Sequence, residues 1–380
     1  MTGTKAVLRV AAALARRWDD GRYGLKLRLG MTSDPILLPY RGYASGGRMR
    51  LGGRVVEDEG VVGAEPSRSR WTQLKRTFRR YETDEIRNAV VDWTAGGASG
   101  QAISDAQGFF GIDAPLVSGE NPGSPWLPVA LALRSAPGYA FRPLVAEGLV
   151  RVVSPEATFG VVSDIDDTVI ETGAQNLFRH WRTVALNSAE GRVAFPGVAF
   201  LFRALAAGRG SPETNPIFYV SSSPWNLYDL FEDVLRLRRI PPGPMFLKDF
   251  GLNKTQWLTG SHRRHKLTAI DRLLSAYPQL RFVLVGDTGQ SDAPIYADVV
   301  RRHPGRILAV YMRDVTPRGF RPRVRRAMRR IEAAGVPLVS GATLDGAARH
   351  AEEAGLVEPG TAERMRDEIR ADAEALRGGT

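Results

Sequence analysis

Three carboxylates stand within four positions in the stretch Gly160–Gly173, "GVVSDIDDTVIETG": Asp164, Asp166 and Asp167, followed at once by Thr168. Like charges this close raise one another's pKa, and burying them is costly unless a cation compensates. The run before them, Ala157–Val162, is apolar enough for a buried strand. Taken alone, the same residues also suit a solvated Asp-rich turn, since Asp and Thr favour turn geometry. Used chemically, an Asp-x-Asp pair divides labour. Asp164 attacks phosphorus; Asp166 protonates the leaving alkoxide and then activates water on the resulting aspartyl phosphate.

Further polar residues stop other apolar runs. "IFYV" ends at Ser221, Ser222 and Ser223, and "LRFVLVG" ends at Asp287, with Asp292 five residues later. A helical stretch opening near "HRRHKLTAI" brings Lys266. Clustered carboxylates call for a hard cation, and Mg²⁺ takes oxygen ligands, so Asp164, Asp287 and Asp292 suit it. With five histidines and no cysteine, zinc is less well supplied. Ser223 reads as an N-cap with Pro224 in the first helical position, so the predicted helix start and the Ser221 hydroxyl form an anion site. Lys266 neutralises the nucleophile and the phosphoryl group.

The elements that must position these groups follow from the pattern. From about Glu156, apolar strands alternate with helical stretches, which predicts a mostly parallel sheet covered on both faces. Ligands in such sheets sit beyond the carboxyl ends of the strands. Before it, Leu25–Val153 holds short alternating segments such as "RMRLGGRVV", "NAVVDWTA" and "VALALRS", separated by Gly, Pro and Ser clusters, which predicts a β-sandwich-like domain. An insert, Arg70–Ile86, reads as an amphipathic helix packing Trp71, Leu74 and Phe78. The domain division expected is 1–21 as an amphipathic helix, 22–153 as the β-rich domain, 154–345 as the catalytic domain and 346–380 as a helical tail. The segment Ile170–Gly197 directly follows the first acidic loop and is expected to form a short flap over an open site.

Composition bounds the rest. A chain of 380 residues with 43% hydrophobic content is globular, and the absence of cysteine excludes disulfides and a thiol nucleophile. Arg9 breaks the N-terminal apolar run, no segment has the length of a membrane span, and a cytoplasmic location is expected. The net charge of +11 favours anionic partners without choosing among them.

The motifs "DIDDT", "YVSSSPWNLY", "HK" and "LVGDTGQSD" resemble, in order and spacing, the four motifs of haloacid-dehalogenase-like (HAD) phosphatases. More narrowly, "SDIDDTV", "YVSSSPWNLY", "HKLTAIDRLLSAYP" and "FVLVGDTGQSDAPIY" resemble the catalytic domain of the actin-patch-associated, Mg²⁺-dependent phosphatidate phosphatase family, over roughly Glu156–Val339. The resemblance implies a HAD-like Rossmannoid α/β fold. It makes Asp164 the phosphorylated nucleophile, Asp166 the acid/base, Ser221 the phosphate-binding hydroxyl and Lys266 the stabilising lysine. Asp287 and Asp292 become the acidic pair of the last motif, Thr168 orients the first loop, and the Asp166 carbonyl joins the metal ligands. Ser222 stands beside Ser221 as a substrate-binding candidate. His265 is a candidate contact to phosphate or glycerol, although a polar residue at a helix start is commonly solvated. Trp225 and Tyr228 read as packing groups.

The function expected is a Mg²⁺-dependent phosphomonoesterase acting on phosphatidate at an anionic membrane surface, with peripheral membrane contact through basic segments such as Arg318–Arg330. The alternatives are a soluble phosphatase of the same mechanism and a non-catalytic membrane or protein interaction module. Nucleic-acid binding rests on charge alone and is not expected.

Overall fold

A computed structural model describes residues 21, 23, 26, 28–58, 84–116, 124–165, 168, 197–248, 262–289, 292–316 and 319–378, the last few and His262 by backbone only. The expected N-terminal helix, nearly all of the insert 70–86, the expected flap and the aspartates at 166 and 167 lie outside the described residues. The chain divides into two compact units between Val152 and Val153, with Pro224–Tyr228 and Lys248–His262 counted in the first.

The first unit is built on eight strands: β1 Pro35–Pro39, β2 Gly42–Ser45, β3 Arg48–Glu57, β4 Val90–Ala95, β5 Ala98–Ile103, β6 Phe109–Pro115, β7 Trp126–Ser135 and β8 Val145–Arg151. All join one hydrogen-bonded sheet in the order β1-β3-β2-β8-β7-β4-β5, with β6 paired to β3. The pairing is antiparallel except between β2 and β8. Two hairpins turn on Gly46-Gly47 and Gly96-Gly97, all at positive φ as tight two-residue turns demand. Alternate residues such as Met49, Leu51, Val55, Phe110, Ile112, Leu127, Val129 and Leu131 fill one core. Glu57, 1% exposed, is held there by Lys26, the Ser33 amide and the Tyr139 hydroxyl. Trp225 and Tyr228 pack with Tyr40, at ring-centroid distances of 4.6 and 4.4 Å.

The second unit is a six-stranded sheet in the order β11-β10-β9-β12-β13-β14, where β9 is Phe159–Ser163, β10 Ile217–Pro224, β11 Met245–Lys248, β12 Arg281–Asp287, β13 Ile307–Arg313 and β14 Leu338–Gly341. Strands β10, β9, β12, β13 and β14 pair in parallel. Every residue of β9 is buried, as are Phe282–Asp287 in β12, the continuous apolar pattern of a strand covered on both faces. The helices are α1 Val198–Ala207, α2 Tyr228–Leu237, α3 His262–Ala276, α4 Asp292–Arg302, α5 Pro322–Ala333, α6 Asp345–Glu353 and α7 Thr361–Gly378. The chain places β10 on one side of β9 and β12 on the other. The strand order therefore reverses at β9, which opens a crevice at its carboxyl end. Among the described residues no helix is long and apolar enough to cross a membrane.

One expectation from sequence does not hold. The serine run was read as the start of a helix, whereas β10 continues through Ser221–Ser223 to Pro224, a 3₁₀ turn spans Trp225–Leu227, and α2 begins only at Tyr228. The reason is local. Ser223 precedes a proline, which disfavours the helical region for it, and its amide donates to Ser221 Oγ at 2.8 Å instead of entering a helical turn. Residues 346–380, read as a tail, supply α7 to the unit's packing. Met365 is fully buried, and Arg203 on α1 donates to both oxygens of Glu368 at 2.8 and 2.9 Å. Gly197, at φ 79°, admits α7 so closely that a Cβ there would lie 2.5 Å from Met365 Cε.

This packing predicts that Met365→Ala destabilises the protein by about 2–5 kcal/mol in urea unfolding, the usual result of emptying a buried site. A loss below about 0.5 kcal/mol, the range of surface substitutions, would mean that α7 does not share the core.

Candidate active site

The carboxyl edge of the parallel sheet gathers four charged side chains. Asp164 follows β9, Asp287 closes β12 and Asp292 opens α4, each no more than 1% exposed. One carboxylate oxygen from each lies within 4.8 Å of the other two. Backbone geometry sets these positions. The Asp164 amide donates to the Val285 carbonyl at 3.0 Å, extending the β9–β12 ladder one residue past the strand. The Gly289 amide donates to Asp287 Oδ1 at 2.6 Å, and the Asp287 amide lies 3.3 Å from Asp292 Oδ2. The five-residue spacing of these aspartates is thus the span of a tight strand-to-helix turn.

Lys266 reaches the cluster from α3. Its Nζ lies 2.8 Å from Asp164 Oδ1 and 2.7 Å from Asp292 Oδ1, and the residue is 4% exposed. Burial works against the ammonium, but the charges of Asp164 and then Asp292, with their hydrogen bonds, outweigh it and hold the pKa well above the usual lysine range. Three carboxylates and one ammonium leave the described cluster two negative charges in excess, where desolvation is most costly. A hard divalent cation with oxygen ligands matches that charge and donor set, and Asp164, Asp287 and Asp292 are the residues able to hold it.

The other sequence candidates are placed as follows. Ser221 is fully buried on β10, two residues beyond the Tyr219–Ser163 pair, and its hydroxyl accepts the Ser223 amide. The Thr168 and Ser222 hydroxyl oxygens are buried, with no hydrogen-bond partner among the described residues. The helix-start contribution expected beside Ser221 is absent, because the chain there is strand. His265 is half-buried and sets Nε2 3.4 Å from the Phe246 carbonyl oxygen. Asp166 is outside the described residues.

Two further residues shape the site. Tyr296, on the second turn of α4, is buried and donates its hydroxyl to the Val285 carbonyl at 2.6 Å. Burial, reinforced by the charges of Asp292, Asp164 and Asp287, keeps that phenol protonated far above its ordinary range. Gly286 makes room for it. A Cβ there would lie 2.8 Å from Asp292 Oδ2 and 2.9 Å from the Tyr296 hydroxyl. The glycine before Asp287 was the available clue, since only a missing side chain lets the acid and the phenol approach the strand together.

The second unit is thus a mostly parallel α/β sheet whose switch point carries a lysine-bridged aspartate cluster. Residues 159–314 match the family described as "Phosphatidate phosphatase APP1, catalytic domain". The chain is 33% identical over 162 residues to phosphatidate phosphatase APP1 of Saccharomyces cerevisiae, covering 42% of this chain and 26% of that protein. It is 29% identical over 159 residues to an uncharacterized protein of Schizosaccharomyces pombe, covering 41% and 25%. The chain thus spans about a quarter of the length of either relative. Among solved structures, a carbohydrate acetylesterase from Xanthomonas citri aligns over 78% of this chain and 71% of its own at 13% identity, with a TM-score of 0.26, too low to bear on the fold.

The Lys266 contacts generate a test. A lysine whose pKa is raised by folding contributes stability fully present below the ordinary lysine value near 10.4, lost only as pH rises through the higher folded value. Lys266→Met strands two buried carboxylates and is expected to cost about 3–5 kcal/mol in metal-free urea unfolding. The lysine's own titration adds no pH dependence to that difference between about pH 6 and about pH 9. Near-equal stability of variant and wild type would rule out the buried ion pairs.

Proposed function

We propose that this chain is a phosphatidate phosphatase that works through an aspartyl-phosphate intermediate on Asp164. The single observation that carries the reading is the pair of contacts from Lys266 to Asp164 and Asp292, beside Asp287, within the segment that matches the phosphatidate phosphatase catalytic-domain family. The yeast relative's name supplies the substrate class, and the motif order supports a HAD-like arrangement of the sheet.

In the mechanism, an Asp164 carboxylate oxygen attacks phosphorus and the bond from phosphorus to the lipid oxygen breaks. Asp166 gives that oxygen its proton, releasing diacylglycerol, then takes a proton from the water that hydrolyses the aspartyl phosphate to inorganic phosphate. Lys266 balances charge on Asp164 and fixes the orientation of its carboxylate, while Ser221, Ser222 and Thr168 supply hydroxyls for phosphate oxygens. Tyr296, tied to Val285, holds the strand end from which the aspartates project. Asp164, Asp287, Asp292 and the Asp166 carbonyl are the proposed holders of Mg²⁺, which when bound neutralises the phosphoryl group. His265, next to Lys266 on α3, is proposed as a contact for the phosphate or the glycerol. The β-rich region, residues 22–153, is proposed as a sandwich-like accessory domain beside a catalytic domain of residues 154–345. A cytoplasmic location is part of this proposal.

Asp164→Asn retains the shape of the side chain but cannot form the acyl phosphate, so phosphate release from phosphatidate in mixed micelles should fall by at least about a thousandfold with the thermal midpoint preserved. Near-normal turnover by that variant would sink the mechanism. Chelation with EDTA should abolish activity and Mg²⁺ restore it; full restoration by Zn²⁺ alone would contradict the assigned ligands. A wide preference for a soluble phosphomonoester over micellar phosphatidate would remove the lipid assignment while leaving Asp164 chemistry intact.

A further inference from the structure

The helix α5 carries a charge pattern that the site does not explain. Its sequence is PRVRRAMRRIEA, and Val324, Ala327, Met328 and Ile331 are buried. At 100° per residue these four fall on one arc, and Arg323, Arg325, Arg326, Arg329 and Arg330 sweep the opposite side. All five are exposed, as is Arg321 just before the helix. None of the six pairs with a described carboxylate, and Glu332 is the only acid on the helix.

Arginines elsewhere in the unit behave differently. Arg203 pairs with Glu368, Arg236 with Asp233, Arg263 and Arg301 with Asp298, and Arg302 with Asp271. Those faces carry acids beside their arginines. The outer face of α5 shows no such pairing among the described residues, and concentrated charge of one sign raises the local concentration of an oppositely charged partner.

The helix also starts close to the site. The Thr288 amide, next to Asp287, donates to the Arg313 carbonyl at 2.9 Å, and the Thr288 hydroxyl donates to Asp314 at 2.8 Å. The chain therefore leaves the sheet for α5 at the same carboxyl edge that holds the aspartate cluster. We propose that the arginine face of α5 is the docking surface for an anionic lipid bilayer. The proposal rests on the phosphatidate reading above for its choice of a lipid surface over another polyanion. Because the apolar stripe of α5 is already buried in its own core, docking is electrostatic and does not require insertion of the helix.

Flotation with vesicles of phosphatidylcholine containing about one-third phosphatidylserine tests this without any hydrolysis. Each basic residue near such a surface is worth about fivefold in partitioning. Full-length wild type should bind and be released by high salt, as expected for charges screened over about 8 Å at physiological ionic strength. The triple variant R325E/R326E/R329E should lose at least about a hundredfold in partitioning. It should retain the wild-type thermal midpoint and the wild-type rate on a soluble phosphomonoester, which separates lost docking from lost folding. The neutral variant R325Q/R326Q/R329Q should fall between the two. Equal binding by the charge-reversed variant, binding that survives high salt, or capture of the protein by duplex nucleic acid but not by vesicles would overturn the proposal. Vesicle binding without phosphatidate hydrolysis would refute the activity and leave the docking surface standing. Micellar phosphatidate hydrolysis without vesicle binding would do the reverse.

Discussion

One buried ammonium holds the second unit's edge together. Lys266 joins Asp164, from the end of β9, to Asp292, from the start of α4, and so ties α3, the central strand and the turn after β12 into one charged cluster. Neither carboxylate is affordable alone at 1% exposure or less, and the lysine is not affordable without them. The rest of the edge is arranged around this constraint. Gly286 gives up its side chain so that Asp292 and Tyr296 can approach, and Tyr296 anchors to the Val285 carbonyl.

That cluster is still short of positive charge. An excess of negative charge in a buried site is an unfavourable resting arrangement, and it becomes favourable when a divalent cation and an anionic substrate share the place. The stability cost of the cluster and its proposed use in phosphoryl transfer are then two descriptions of the same electrostatics. The lysine pairs with Asp164 and orients it, which is what the proposed carboxylate nucleophile needs.

Charge also organises the protein on a larger scale. Several helices of the second unit carry arginines paired with acids, whereas the five on α5 have no acid partner among the described residues. Its apolar stripe, Val324, Ala327, Met328 and Ile331, is committed to the core. The same helix therefore contributes packing on one side and uncompensated positive potential on the other, close to where the chain leaves the catalytic edge.

Much of this was legible in the residues. Continuous apolar runs at Phe159–Ser163, Ile217–Val220 and Phe282–Val285 announce buried parallel strands, because only a strand covered on both faces needs no polar alternation. The acids and serines that stop those runs, together with Lys266, mark one edge, because parallel strands deliver their carboxyl ends to the same side. The helix start assigned to Ser223 and Pro224 was illegible for a reason of competition. The cap-like pattern is present, but the pre-proline restraint and the Ser221 bond keep the strand going. The roles of Gly286, Tyr296 and Met365 depend on contacts between segments distant in the chain or on a side chain that is missing. Periodicity reports which face of an element is apolar; it does not report which partner that face meets. Sequence thus determined the identity of the charged groups and the class of element carrying each, through local pattern and chain direction. The tertiary structure alone decided that Lys266 spans Asp164 and Asp292, that α7 closes over Gly197 and that the α5 arginines meet no acid among the described residues, because distances between remote side chains are set by packing and not by spacing along the chain.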